Sequence, residues 1–345
     1  MGERLADIAI FLGGSCNPTT WRRDVAMPLL DAAQVRYFNP QVDEWFDELV
    51  QIETRAKETA QIMFVVVDKL TRCLVSINEA VEFICRGRKV MLVVDDIDEA
   101  AEVAGKTLEP TELADLNGAR QCLRDLAIKR GVGLYSDVET AVQASIEWLT
   151  QVNLPKSRPE VPRLRKRSSI VLNDWSGKHR PHRVTSRSHS SRLLKSATTS
   201  WRQKVAIPLL RTAGIPIYVP FADYLSFGLS SAAEKHVQAL AEHWQEIATQ
   251  KAIAELILFV IPSNLRSIAA MTEAVELVSS HQALLLVIEP VTEGCMQEDG
   301  VVITGREFKD LARARVYLRE MAERNDVHVF ESVTEAVESI VERLE

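Results

Sequence analysis

Glu79 and Asp68 stand eleven residues apart in a part of the chain that contains no histidine. All seven histidines lie at position 179 or later. Residues 1–178 therefore offer no histidine base, no Ser-His-Asp triad and no histidine-bound metal. Chemistry there must run on carboxylates, amides, hydroxyls, thiols or the backbone. Glu53, in QIETRAKETA with Arg55 and Lys57 nearby, is a third acid of interest. A crevice acid and a solvated charged face are both open readings of each of these carboxylates. The turn Gly13-Gly14-Ser15-Cys16-Asn17-Pro18 lets a ligand approach the backbone, or simply makes a tight strand-to-helix corner. It is neither a P-loop nor a GxGxxG. Asn39-Pro40 reads as a turn, and Arg72 as an anion contact or a surface charge at a helix start.

Five cysteines with no C-x-x-C pair argue against a disulfide framework and a cysteine zinc site, and for a reducing compartment. No cofactor or metal is expected. The longest apolar runs, such as IMFVVV (62–67) and ALLLVI (283–288), are strand-sized, and a spanning helix needs ~20 apolar residues. Neither a membrane span nor a signal peptide is expected.

The elements that must position these residues alternate. IAIFLGG (8–14), VRYFNP, IMFVVVD, KVMLVVDD and VGLYSD read as strands. Thr19 or Thr20 can cap a helix running to about Ala33, with Pro28 as a built-in kink. Further helices are expected in DEWFDELVQIETRAKETA, SINEAVEFICRG, TELADLNGARQCLRDLAIKRG and VETAVQASIEWL. Five strands separated by helices imply an α/β, flavodoxin- or Rossmann-like doubly wound sheet of order 2-1-3-4-5. Ligands should then bind outside the carboxyl ends of strands 1 and 3, where Asp68 stands.

The pattern occurs twice. TTWRRDVAMPLLDAAQVRYFNP (19–40) aligns with TSWRQKVAIPLLRTAGIPIYVP (199–220), and TRCLVSINEAVEF (71–83) with LRSIAAMTEAVEL (265–277). DLNGARQCLRDLA (115–127) aligns with DLARARVYLREMA (310–322), and LYSDVETAV (134–142) with VFESVTEAV (329–337). A tandem duplication is expected, with domains at 1–150 and 169–345, each carrying a five-stranded sheet. Glu273 keeps the place of Glu79, whereas Pro262 replaces Asp68. Residues 151–168, with three prolines, read as a basic linker. A basic insertion, 175–198, follows the second copy's first strand, SIVLN. Residues 156–195 carry twelve Lys/Arg against two acids, about +10 in a chain of net charge −7. RLRKRSS (163–169) resembles a nuclear-localisation or basophilic-kinase site. The stretch 156–198 reads as a solvated connector or as a nucleic-acid contact.

These pieces, taken in order, resemble the nucleoside 2-deoxyribosyltransferase family. The matching features are FLGG after strand 1, Asn-Pro after strand 2, and Glu53 eight residues before the end of helix 2. The strand-3 Asp68, and Glu79 opening helix 3 before a Gly-Arg-Lys-Val turn, complete them. The resemblance covers about residues 8–95 and, more weakly, 170–290. It implies that Glu79 is the nucleophile on the anomeric carbon. Asp68 and Glu53 would orient it or the sugar, or help protonate the departing base. Gly13, Gly14 and Asn17 would line the sugar site, with Asn39 and Arg72 as further substrate contacts. Such chemistry needs one carboxylate to attack and another acid to assist the leaving group. The aspartate the family places six residues before its glutamate falls on Cys73, and Arg72 favours a nucleotide over a nucleoside. The expected partners are a nucleoside or nucleotide, and a second subunit or the second copy as a built-in pseudo-dimer. The expected location is the cytoplasm or nucleus. The function expected is N-glycosidic transfer or hydrolysis, or else a nucleotide-binding or regulatory module with a decayed site.

Overall fold

A computed structural model describes residues 8–41, 48–99, 101–153, 201–217, 249–250, 253–280, 283–297 and 299–342. Side chains are described from 51 onward in the second helix, and up to 152 in the fifth. The first half forms one parallel sheet from β1 (Ile10–Gly14), β2 (Tyr37–Phe38), β3 (Ile62–Val67), β4 (Lys89–Val94) and β7 (Gly133–Tyr135). The order is β2-β1-β3-β4-β7. A small antiparallel hairpin, β5 (Glu102–Val103) with β6 (Lys106–Thr107), stands apart from it. Discounting that hairpin, the order is the expected 2-1-3-4-5, with the reversal between β1 and β3. Every residue of β1 and β3 is buried, as continuous apolar runs covered on both faces require.

Helices α2 (Glu48–Thr59), α3 (Leu74–Cys85), α4 (Pro110–Lys129) and α5 (Val138–Asn153) follow as expected. Asn153 ends α5, so 151–153 are its last turn and not the beginning of the linker. The first helix opens with a π-helical turn, Arg22–Ala26, before α1 (Met27–Ala32) with Pro28 in its first turn. Thr19 does not cap it; its hydroxyl donates to Ser15 O at 3.1 Å.

In the second half, Arg202–Ala206 is again a π-turn, leading into α6 (Ile207–Thr212). Next come β8 (Ile257–Ile261), α7 (Ile268–Ser279), β9 (Leu284–Ile288), α8 (Gly305–Arg324), β10 (Val329–Phe330) and α9 (Val333–Glu342). Its described sheet has three parallel strands, β10-β9-β8. The expected strand SIVLN, the linker from 154 and the basic insertion lie outside the described residues. Half of the segment IPIYVP (215–220) does too, and 215–217 form no strand.

Three apolar clusters set the layering. One lies between the first sheet and α1 and α5, through Leu30, Phe64, Val142 and Leu149. Another lies between the second sheet and α6 and α9, through Leu210, Val287 and Val337. The largest runs through both halves, joining β3 and β4 by way of α3, α4, α7 and α8 to β8 and β9. Leu116, Leu123, Met271 and Leu318 are fully or almost fully buried there, so the halves share a core.

Polar contacts across that core pair corresponding positions. Asn78 faces Thr272, its counterpart in the aligned strings, at 3.5 Å. Arg324 approaches Glu82 at 3.5 Å, and Lys129 approaches Glu276 at 3.1 Å. Buried Arg72 bonds Glu112 at 2.7 Å, and buried Arg266 bonds Glu307 at 2.8 Å. Asp115 accepts the N–H groups of Ile268 and Ala269 at 2.8 and 2.9 Å, capping α7 from the first half.

Candidate functional site

The turn after β1 is built for close approach to β3. Gly14 has φ +106°, and a Cβ there would lie 2.1 Å from Val66 O. Only glycine fits. Ser15, buried beyond it, is a hub. Its hydroxyl accepts Asp68 N–H at 3.0 Å and meets the Thr71 hydroxyl at 2.9 Å and Cys73 Sγ at 3.2 Å. Its carbonyl accepts from Trp21 Nε1 at 3.1 Å and from Arg22 Nη1 at 2.6 Å. Arg22, buried, also donates to Leu12 O at 3.0 Å and Gly14 O at 3.3 Å. The Trp21 ring stacks 4.2 Å from its guanidinium. The π-turn aims consecutive residues at this corner.

Asp68 Oδ1 accepts Leu70 N–H at 3.0 Å and the Thr71 hydroxyl at 3.3 Å. Burial pushes the Asp68 carboxyl up, against the hydrogen bonds from Leu70, Ser15 and Thr71. Arg120, fully buried on α4, ties the carboxyl ends of β3 and β4 together. It donates to Asp68 O at 3.1 Å, Thr71 O at 2.8 Å and Asp95 O at 3.0 Å. Across the β1–β2 side runs a chain of amides. Exposed Asn17 accepts from the Gln41 side chain, and Asn39 Oδ1 accepts Gln41 N–H at 3.0 Å.

Glu79 lies in the second turn of α3 with a side chain 17% exposed. Lys57 Nζ bridges it to Glu53, at 2.6 Å from each carboxylate. The same ammonium lies 5.3 Å from the Phe11 ring, which stacks on Phe38. Burial raises the Glu79 carboxyl above its ordinary value, and Lys57 opposes this. Burial alone would lower the Lys57 ammonium, but Glu79 and Glu53 outweigh it and hold its proton on. One turn on, buried Glu82 is bound by Arg86 at 2.8 Å and by the Tyr317 hydroxyl from α8.

The structure thus brings Glu53 and Glu79 together around one cation, and Asp68 together with the Gly13-Gly14-Ser15 corner. Ser15, Thr71 and Arg120 face Asp68, whereas Lys57, Glu53 and Glu82 face Glu79. Arg72 is buried and turned to Glu112 of the same half, while its Nη1 lies 3.8 Å from Asp310 of the second half. Cys73 caps α3 in the left-handed region at φ 56°, as Ser267 caps α7. Burial raises the Cys73 thiol pKa. Glu273 occupies the matching turn of α7, half-buried. Lys57, Arg22 and Arg120 were not singled out by sequence. The repeat held a signal for two of them, since Arg22 recurs as Arg202 and Arg120 as Arg315. Arg315 again donates to the loop carbonyls after its strand, Pro262 O at 3.1 Å and Leu265 O at 2.8 Å. Among the described residues no cluster of three or more metal-ligating side chains occurs, and no helix is long and apolar enough to cross a membrane.

A doubly wound parallel sheet with carboxylates gathered by the elements after β2 and β3 defines a Rossmann-like α/β protein. Residues 7–97 match the family described as nucleoside 2-deoxyribosyltransferase like. That span holds Glu53, Lys57, Asp68 and Glu79. No curated protein and no solved structure matches the chain.

Proposed function

We propose that this protein acts on the N-glycosidic bond of a nucleoside or nucleotide, as a transferase or hydrolase, with Glu79 as attacking carboxylate. The observation that carries this reading is the Glu53–Lys57–Glu79 cluster inside the family match. A buried nucleophilic carboxylate must stay ionised, and a lysine at 2.6 Å favours that form. Glu79 attacks the anomeric carbon while the C–N pair leaves on the base, which takes up a proton. Asp68, whose carboxyl burial pushes up, is the proton donor or a sugar contact. When the Glu79 charge is consumed in the glycosyl ester, Lys57 keeps Glu53 as its counter-ion. A second base or water then attacks the same carbon and frees Glu79. Asn17, Asn39 and the Gly13-Gly14 turn serve as the sugar-side wall.

The second half is read as a diverged copy that acts as a built-in partner. The corresponding-position contacts across the shared core support this, while Pro262 in place of Asp68 argues against a second complete site.

A second reading, a nucleotide-binding module without turnover, is favoured by Cys73, which stands where the family's aspartate is expected. Incubation with deoxynucleosides and nucleotides, following free base by chromatography, separates the two. Base release that is lost in Glu79→Gln and kept in Glu273→Gln supports the enzyme. Saturable binding with no release from any substrate supports the module.

A further inference from the structure

A cavity of about 280 Å³ opens at the opposite edge of the first sheet, where α3 and α4 end and β4 and β7 begin. Arg88, Lys89 and Arg130 line it, with Gly87, Gly131 and Gly133, and none of its lining residues is acidic. The two segments that form it, 84–90 and 127–133, carry five cations and no acid in a chain of net charge −7. Three of those cations are committed. Arg86 pairs with Glu82 and Lys129 with Glu276, while Arg88 Nη2 donates to Lys57 O and Ala60 O at 2.9 and 2.7 Å. The Lys89 and Arg130 side chains make no hydrogen bond or ion pair to a described residue. Lys89 Nζ only faces the Trp148 ring at 5.4 Å.

Cations at helix C-termini answer the helix dipole, which would account for them without any ligand. The second half tests that account. The last turns are alike in the two halves, with no basic residue in α3 or α7 and one in each of α4 (Lys129) and α8 (Arg324), but the residues that follow differ: Ser280 after α7 and Asn325-Asp326 after α8, where the first half has Arg86 and Arg130. The same fold closes there without the cationic cluster. The volume lies near the lower end of ligand sites, ~300 Å³, and a concave one-signed surface concentrates counter-ions.

We propose that this cavity is a second binding site, for the phosphate group of a small phosphorylated molecule, with Arg130 and Lys89 as its principal contacts. It is separate from the Glu79 cluster and does not depend on the glycosidic reading. The test is calorimetric titration of the full chain with inorganic pyrophosphate, alongside amide chemical shifts of Gly87, Gly131 and Gly133. Arg130 is exposed and Lys89 half-buried, so Lys89→Ala/Arg130→Ala should fold normally, which circular dichroism would check. The expected result is saturable binding that shifts those three amides and weakens roughly tenfold or more in the double variant. Pyrophosphate binding that leaves these amides unmoved, or is equal in wild type and variant, would overturn the proposal by placing the anion on another basic surface. Absence of binding to pyrophosphate, with binding to an acidic peptide lost in the variant, would overturn it in favour of a protein-docking patch.

Discussion

Lys57 decides what Glu79 can do. Glu79 is desolvated, which favours its neutral form, and the lysine is the group that opposes this. Lys57→Gln should therefore move the Glu79 carboxyl further up, and the acidic limb of the base-release profile to higher pH. A pH–kcat/KM series on both proteins checks the sign, and an unmoved limb would separate Lys57 from the nucleophile proposed above. Gly14 is the other single position on which the site depends. A Cβ 2.1 Å from Val66 O, in a left-handed backbone, must push β1 from β3. Gly14→Ala should cost at least ~2 kcal/mol, measured by urea unfolding, because strain and overpacking add.

At the scale of elements, the sheet was legible because its strands are unbroken apolar runs, and crossover rules leave few orders for them. The β5–β6 hairpin was not, since two-residue strands in EVAGKT carry no period. The burial of Glu79 was not legible from its helical position, which alone looks solvated; the matching Glu273 and the family resemblance drew attention to it. Lys57 was read as part of a charged face, but its ammonium faces Glu79 and the Phe11 ring, both from other elements. Arg22 and Arg120 satisfy carbonyls at strand ends, a tertiary arrangement no local pattern announces. Joining of the helices is testable here. Asp115→Ala removes the acceptor for two N–H groups of α7 and should cost about 1 kcal/mol, whereas Asp115→Asn should recover part of it. Equal urea midpoints for Ala and wild type would show that α7 needs no cap from the first half.

For the whole molecule, a core shared by α3, α4, α7 and α8 means that neither half buries its apolar face alone. Loss of polar contacts at the join should therefore register in global unfolding. Asp299 is the acid-sensitive one. Burial would raise its carboxyl, but hydrogen bonds from Thr111, Val301 N–H and Arg266 outweigh this and hold it below its ordinary 3.8. Thr111 belongs to the first half and Arg266 lies 2.7 Å from Asp299, so this carboxylate joins the halves. Because the folded value lies below the unfolded one, the contribution is fully present above the unfolded value of 3.8. It is lost as pH falls through the folded value. The urea midpoint should thus drop between about pH 5 and pH 3, and Asp299→Asn should flatten that drop while leaving less stability at pH 7. Identical slopes for the two proteins would mean that the join draws its acid sensitivity from other carboxylates.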